Sequence, residues 1–396
     1  MMLFSRTKKY VLMHKDIQVA RGDYDLSRHE FRKLTAVMKP EHMPVGTHMD
    51  SDVDLHRLNH WIRWRGIPDY RVGLDQLMDR LGVEAPTDLL DMEYALSVSD
   101  HYWLKPERDG SSYEDLNFFE RSFNADGFGK AMFATVRAEA EESALHTPNN
   151  TLCGYHRKAW CRGGKLYLLK GGSPWFQQEP VMEWLAALIG ERLGMDVVHY
   201  ETEMYEHQLV CVCENMLDLE TDLVPADDVL RDSVREKGEF VLDYYLDILE
   251  RHGLKDAVKA TYDMMLMDYL LMNTDRHNQN FGILADADTG EWLKVAPIFD
   301  SGTCLGALKN EDDLAAVEEG FEYKLFHGKA VIEESYIRQV ARALKLDFTA
   351  IDDVPELLAA KLARHQGLTG IRNRRIEELS AMLSRRIELM KKMTLR

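Results

Sequence analysis

The chain of 396 residues is poor in several things, and each shortage removes a class of function. Cysteine is scarce, with five residues: Cys153, Cys161, Cys211, Cys213 and Cys304. The number is odd and no Cys-x2-Cys occurs, so neither a zinc ribbon nor a disulfide framework is expected, and free thiols in a reducing cytoplasm are the default. Cys211 and Cys213 flank Val212, a spacing that suits strand packing better than metal binding. Long apolar runs are missing, and none reaches the roughly 20 residues that a membrane-crossing helix needs. Met1-Met2-Leu3-Phe4 turns at once into Ser5-Arg6-Thr7-Lys8-Lys9, so no secretory leader is expected. Positive charge is also short. The 49 Lys and Arg face 67 Asp and Glu, a net charge of −18, which argues against a bare nucleic-acid surface but leaves room for a local basic cleft.

What is present is ordinary in amount, with 45% apolar and 29% charged residues, as in a soluble globular protein. The length suggests two or three domains. The informative stretch is Leu271-Met272-Asn273-Thr274-Asp275-Arg276-His277-Asn278-Gln279-Asn280-Phe281-Gly282. An apolar helical run leads in from Tyr262, and a short apolar strand leaves it. A second Asp, Asp300, follows Val295-Ala296-Pro297-Ile298-Phe299. Phosphoryl transfer uses such a set: one carboxylate to accept the proton of the attacking hydroxyl, and an Asn with a second carboxylate to hold Mg²⁺ against phosphates. Asp275, Asn280 and Asp300 fit those roles in order. Alone, Asp-x4-Asn reads as an Asx-rich turn.

Upstream features shift the balance. Leu166-Tyr167-Leu168-Leu169-Lys170 is a strand pattern ending in a Lys with apolar neighbours, and a charge there needs a partner. The helix that follows, Glu179 to Ile189 with Pro180 in its first turn, offers Glu183 as that partner, with Glu179 as the rival. Thr151-Leu152-Cys153-Gly154-Tyr155-His156-Arg157-Lys158 holds a Gly turn able to approach phosphate, flanked by cations, although it is not G-x-G-x-x-G and reads alone as a plain hairpin turn. Gln208 to Cys213 is a buried-type strand, and Glu214-Asn215-Met216 after it is where a hinge between two lobes would read an adenine edge.

The rest of the chain frames these features. Tyr10–His14 and Ile17–Ala20 predict a hairpin turning at Lys15-Asp16. Helical spacing recurs over Leu55–Ile62 and Leu74–Leu81. This pair resembles helix-turn-helix spacing only loosely, and simple packing is expected. Leu96–Leu104 predicts a buried strand, and Ala125-Asp126-Gly127 a turn. Glu139–Glu142 is an acidic run expected on a solvated helix face. Residues 217–237 read as an acidic loop. Phe240–Leu254 and Ala257–Met272 are long helices, with Asp268 expected on a helix surface. Ser301–Gly306 is expected to be flexible, and Ile371–Lys392 a packed basic helix with a solvated face.

Asn273-Thr274-Asp275-Arg276-His277 through Asn280, then Pro297-Ile298-Phe299-Asp300, resembles the HipA-like serine/threonine kinases, whose shared pattern is N-T-D-x-H-x-x-N followed by P-x-x-D. The resemblance extends over roughly residues 147–345 and does not reach residues 1–130. It implies an α+β, two-lobed kinase-like fold: an accessory region over 1–146, a nucleotide lobe over 147–216 and a helical lobe over 217–396. It implies ATP and Mg²⁺ as cofactors and a cytoplasmic setting. Asp275, Lys170 and Glu183 would be catalytic. Thr151, Gly154, Lys158, Lys170, Glu214, Met216, Asn280 and Asp300 would hold nucleotide, and Asn280 and Asp300 the metal. The family also implies phosphorylation of Thr151 by the enzyme itself, with Thr147 as a rival, and Met182 stands where the family has Asn. It further implies a protein substrate such as an aminoacyl-tRNA synthetase, and a separately encoded antitoxin. Two other classes remain open: transfer of AMP or phosphorylation of a small molecule on the same fold, and a non-enzymatic DNA-binding or antitoxin-like regulator built on residues 1–105.

Overall fold

The structure, a computed structural model, describes residues 7–49, 52–134, 142–174, 176–314, 316–326 and 328–395. Residues 139–141 of the acidic run lie outside them. The first sheet starts with the expected hairpin of β1 (Thr7–His14) and β2 (Ile17–Asp25), turning at Lys15, which takes a φ of 47°. β3 (Glu30–Val37) and β4 (Tyr102–Pro106) complete the antiparallel order β3-β2-β1-β4. Helix α1 (Leu55–Trp64) is capped by Asp54, whose carboxylate accepts from the backbone N–H groups of His56 and Arg57, and it buries Leu58 and Ile62 on this sheet.

The strand expected over Leu96–Leu104 begins only at Tyr102. The carbonyls before it are taken by distant groups. Leu96 O accepts from Thr151 Oγ1 at 2.8 Å, Val98 O from Asn215 Nδ2 at 3.0 Å and Ser99 O from Leu223 N at 3.0 Å. A buried segment satisfied in this way needs no ladder. The turn expected at Ala125-Asp126-Gly127 is instead the start of α3 (Ala125–Phe133), because Asn124 Oδ1 accepts from Gly127 N at 2.9 Å and caps a helix.

The second sheet runs β5 (Lys158–Arg162), β6 (Leu166–Gly171), β8 (Gln208–Glu214), β7 (Glu201–Tyr205), with every neighbouring pair antiparallel. On one face lies α4 (Glu179–Arg192), with Pro180 in its first turn. On the other lie α2 (Leu74–Leu81) and α3, whose Leu77, Phe128 and Phe133 share a core with Ala159, Leu169 and Val210. Helices α1 and α2 therefore serve different cores and do not form one helix-turn-helix unit. Cys211 and Cys213 are buried beside Ala187 and Tyr200 as packing residues, and all five cysteines are free.

The helical lobe gathers α5 (Val241–Arg251), α6 (Ala257–Leu271), α7 (Glu334–Leu344), α8 (Val354–Arg364) and α9 (Asn373–Thr394) around one core that also takes the inner side of α4. The expected loop over 217–237 contains β9 (Thr221–Pro225), which pairs with β10 (Gly282–Asp286), itself paired with β11 (Trp292–Val295). Helix α9 is packed, and two of the arginines on its basic stretch face inward. Arg386 Nη2 donates to Tyr269 O at 2.5 Å, and Arg375 lies 4.2 Å over the Phe176 ring. The architecture is α+β with two kinase-like lobes and an added N-terminal region. Among the described residues no helix is long and apolar enough to cross a membrane.

Because α3 backs the second sheet, truncating it should weaken that lobe. Phe128, with none of its surface exposed, should destabilise the protein by about 3–5 kcal/mol when changed to Ala, read as a lower denaturant midpoint.

Candidate active site

The two lobes meet at Lys170, the next-to-last residue of β6. Its side chain is buried in a sheet, where an isolated ammonium is untenable. It finds two carboxylates: Nζ donates to Glu183 of α4 and to Asp300. Glu179 takes another task and accepts from Ser173 N at 3.0 Å. Glu183 also reaches forward, its Oε2 accepting from Ser301 N at 2.9 Å. Asp300 takes a φ of 56°, in the left-handed region that Asp tolerates better than most residues. Its neighbour Gly302 passes so close to α4 that a Cβ there would lie 3.1 Å from Glu179 O and from Glu183 Cγ. A side chain at 302 would push the segment away from the ion pair.

The charges follow from this packing. Burial works against the Lys170 ammonium, but Asp300 and Glu183 together hold its pKa well above the ordinary lysine range. Burial would raise Asp300 too, yet Lys170 and Lys158 hold it well below the usual carboxylate range. Burial raises Glu183, with Lys170 opposing. Lys158 opens β5 with its Nζ 3.8 Å from Asp300 Oδ2, and burial lowers its pKa. A Cβ on Gly154, which has a φ of 116°, would sit 2.5 Å from that Nζ, so the turn rests directly on Lys158.

The opposite wall comes from the end of α6. The helix stops at Met272 in a left-handed conformation. Asn273 then donates from Nδ2 to Asp268 Oδ1 at 2.8 Å and accepts Asp275 N on its Oδ1 at 3.0 Å. Arg276 is the lock of the loop. It meets Asp268 with Nε and Nη2, both at 2.9 Å. Its Nη1 donates to Asn280 O at 2.6 Å and Phe299 O at 2.5 Å, and Nη2 also to Ser301 Oγ at 2.8 Å. One guanidinium thus ties the Asp275–Asn280 loop to the Asp300 segment. Asp268, expected on a helix surface, is wholly buried, and Tyr323 OH donates to it at 3.1 Å. Asn280 Nδ2 donates to Asp275 O at 2.9 Å, and among the described residues no group donates to its amide oxygen. The Asp275 side chain is open to solvent, but surrounding protein raises its pKa, with His277 opposing and Asp300 adding.

The remaining expected positions lie around this centre. Thr151 is buried, its hydroxyl donated to Leu96 O at 2.8 Å and Pro148 O at 3.0 Å. Thr147 is buried and accepts Asn149 Nδ2 at 2.7 Å. Glu214, at the end of β8, is exposed and pairs with Lys165 at 2.6 Å. Met216 is half-buried and packs with the cluster of Ala187, Tyr200 and Phe299. Ser301–Gly306, expected to be flexible, is held: Leu305 N donates to Leu271 O at 2.8 Å, and Arg375 donates to Gly306 O at 3.0 Å and Lys309 O at 2.7 Å. Among the described residues, no group of three or more His, Cys, Asp or Glu could hold a metal ion.

Breaking the lock should be severe. Arg276→Met strands a buried carboxylate and should cost about 3–5 kcal/mol in denaturant unfolding. Adding Asp268→Asn removes the stranded charge, so the double variant should recover part of that loss.

No family model matches the chain. A curated relative, the serine/threonine-protein kinase CtkA of Helicobacter pylori, is 30% identical over 129 residues, which is 31% of this chain and 39% of that protein. The match therefore spans about two fifths of the relative's length. The solved structure of the Helicobacter pylori proinflammatory kinase CtkA is 20% identical with a TM-score of 0.46, covering 59% of this chain and 93% of that one. HipA of Shewanella oneidensis, solved with HipB and its operator DNA, is 15% identical with a TM-score of 0.54, covering 97% of this chain and 99% of that one. Over the first of these stretches the sequence is similar to a serine/threonine kinase, and over almost its whole length the fold is similar to that of HipA.

Proposed function

We propose that this protein is an ATP- and Mg²⁺-dependent serine/threonine protein kinase that transfers the γ-phosphoryl group to a protein hydroxyl. One observation carries the reading: Lys170 donates to both Glu183 and Asp300, and Arg276 ties the Asp300 segment to the loop that carries Asp275 and Asn280. Lys170, kept charged by its two carboxylates, would bind the α- and β-phosphates, and Glu183 would keep it aimed. Lys158 and the Gly154 turn would cover the phosphates. Asp275, solvent-open and with a raised pKa, would accept the proton of the attacking hydroxyl. Glu214 and Met216 flank the segment that would read the adenine.

One carboxylate and one amide oxygen, Asp300 and Asn280, suit Mg²⁺, which takes few protein ligands and completes its shell with phosphates and water. When bound, it neutralises charge on the transferred group. The protein's own contribution is position and charge: Arg276 holds both metal-side segments in one arrangement before substrate arrives. Phosphorylation of Thr151 would require its segment to lift, since the hydroxyl is committed to two carbonyls. An antitoxin-type partner, a toxin role and a translation-factor substrate such as an aminoacyl-tRNA synthetase are proposed on resemblance alone.

Incubation with a host lysate, Mg²⁺ and labelled ATP tests the reading. Label should pass to protein from γ-labelled but not α-labelled ATP. Asp275→Ala should abolish transfer with the fold intact, and Lys170→Met should lower ATP affinity or turnover at least about tenfold, roughly 1.4 kcal/mol. Transfer of α-label would indicate AMP transfer instead, and equal labelling by Asp275→Ala would remove the kinase reading.

A further inference from the structure

The loop between α1 and α2 lies in the N-terminal region, outside both lobes, yet it grips the Gly154 turn. Val72 N donates to Tyr155 O at 2.8 Å. Arg71 donates from Nε to Gly154 O at 3.1 Å and from Nη2 to Leu152 O. A Cβ on Gly73 would lie 2.8 Å from Arg157 Nε, so the contact is close along its length. The preceding residue, Tyr70, is exposed, and its hydroxyl is raised by burial of its surroundings, with Cys153 and Asp275 adding. The loop therefore reaches from the phosphate-covering turn toward the side of the proposed base.

Arg71 is out of place as a structural residue. It is 3% exposed, and its Nη1 is buried with no hydrogen-bond partner. Of the other buried arginines, Arg65 meets Asp100 at 2.5 Å and Arg276 meets Asp268 at 2.9 Å, while Arg375 and Arg386 bond neutral acceptors and lie over aromatic rings. Arg71 has two carbonyls and no carboxylate within ion-pair distance among the described residues, and burial pushes it down to about 10, so it remains charged at neutral pH. Lys158, the cation under the same turn, is buried too, and its one carboxylate is Asp300 at 3.8 Å. Arg71 adds to the lowering of Lys158, so the two positive charges share one field. Lys158 shares Asp300 with Lys170, and Arg71 keeps a buried guanidinium nitrogen unsatisfied, so this glycine turn holds more buried positive charge than its anions offset. A guanidinium fork is matched to phosphate oxygens.

We propose that Arg71 is a phosphate-binding residue supplied by the N-terminal region, forming with Lys158 and the Gly154 turn the site for the terminal phosphate of a nucleoside triphosphate. This rests on the kinase reading above and adds to it a cation from outside the kinase lobes. It also gives the N-terminal region a direct hold on nucleotide binding.

Affinities for ADP and for a non-hydrolysable ATP analogue, each with Mg²⁺, measured by calorimetry on the full chain, test the proposal. Arg71→Met should weaken the triphosphate at least about tenfold and the diphosphate less than about threefold, with Arg71→Lys between wild type and Arg71→Met. Thermal unfolding shows whether Arg71→Met folds; if it does not, Arg71→Lys decides by the same selectivity. Equal losses for both nucleotides would reduce Arg71 to a support for the turn, and no loss for either would remove it from the site. In both cases wild-type binding leaves the kinase reading standing. A wild-type protein that binds neither nucleotide overturns both.

Discussion

An ammonium buried inside a β-sheet is the constraint that the rest of this structure answers. Lys170 cannot remain charged there without anions, and Glu183 and Asp300 are brought in from two different parts of the chain. Helix α4 must lie across the sheet so that Glu183 reaches inward. Asp300 takes a left-handed backbone, and Gly302 lets the segment pass close to α4, where a Cβ would crowd Glu179 and Glu183. A buried ion pair of this kind gives little net stability, because desolvation offsets most of its attraction. Under the proposed function these three charges are held where a phosphate and a metal would exchange partners with them.

A second buried pair sets the geometry of the opposite wall. Asp268 and Arg276 are both fully shielded, and Arg276 spends its remaining donors on Asn280, Phe299 and Ser301. The loop with Asp275 and the segment with Asp300 are therefore not independent; a shift in one carries the other. Arg375 extends the same logic to the segment after Asp300, anchoring Gly306 and Lys309 to α9. The helical lobe thus ties its half of the site together through two buried arginines. The other half depends on a turn at Gly154 that is gripped from outside by Arg71 and Val72.

How much of this was legible in the sequence depended on whether chemistry or packing dictated the residue. Lys170 could be read because a charge in an apolar strand needs an explanation. Asp275, Asn280 and Asp300 could be grouped because their types and spacing suit one reaction, and the structure links their two segments through Arg276. Asp268 could not: α6 is apolar nearly all round and buries Asp263 through Leu271 almost without a break, so no polar face marked which Asp pointed inward. Leu96–Asp100 has strand composition but gives its carbonyls to Thr151, Asn215 and Leu223, contacts across 50 to over 100 positions that local pattern cannot carry. β9 hid in an acidic stretch because its partner, β10, lies some sixty residues on. Arg375 and Arg386 resembled surface charges, and only the packed helix shows their carbonyl and ring partners.

The central claim is that the Lys170–Asp300 contact is the resting arrangement of a nucleotide site. A crystal structure with Mg²⁺ and a non-hydrolysable ATP analogue tests it most directly. Lys170 should keep Glu183 but leave Asp300 for the α- and β-phosphate oxygens, with Asp300 and the Asn280 amide oxygen on the metal. An unbroken Lys170–Asp300 pair with nucleotide bound elsewhere, or metal held by other residues, would contradict it.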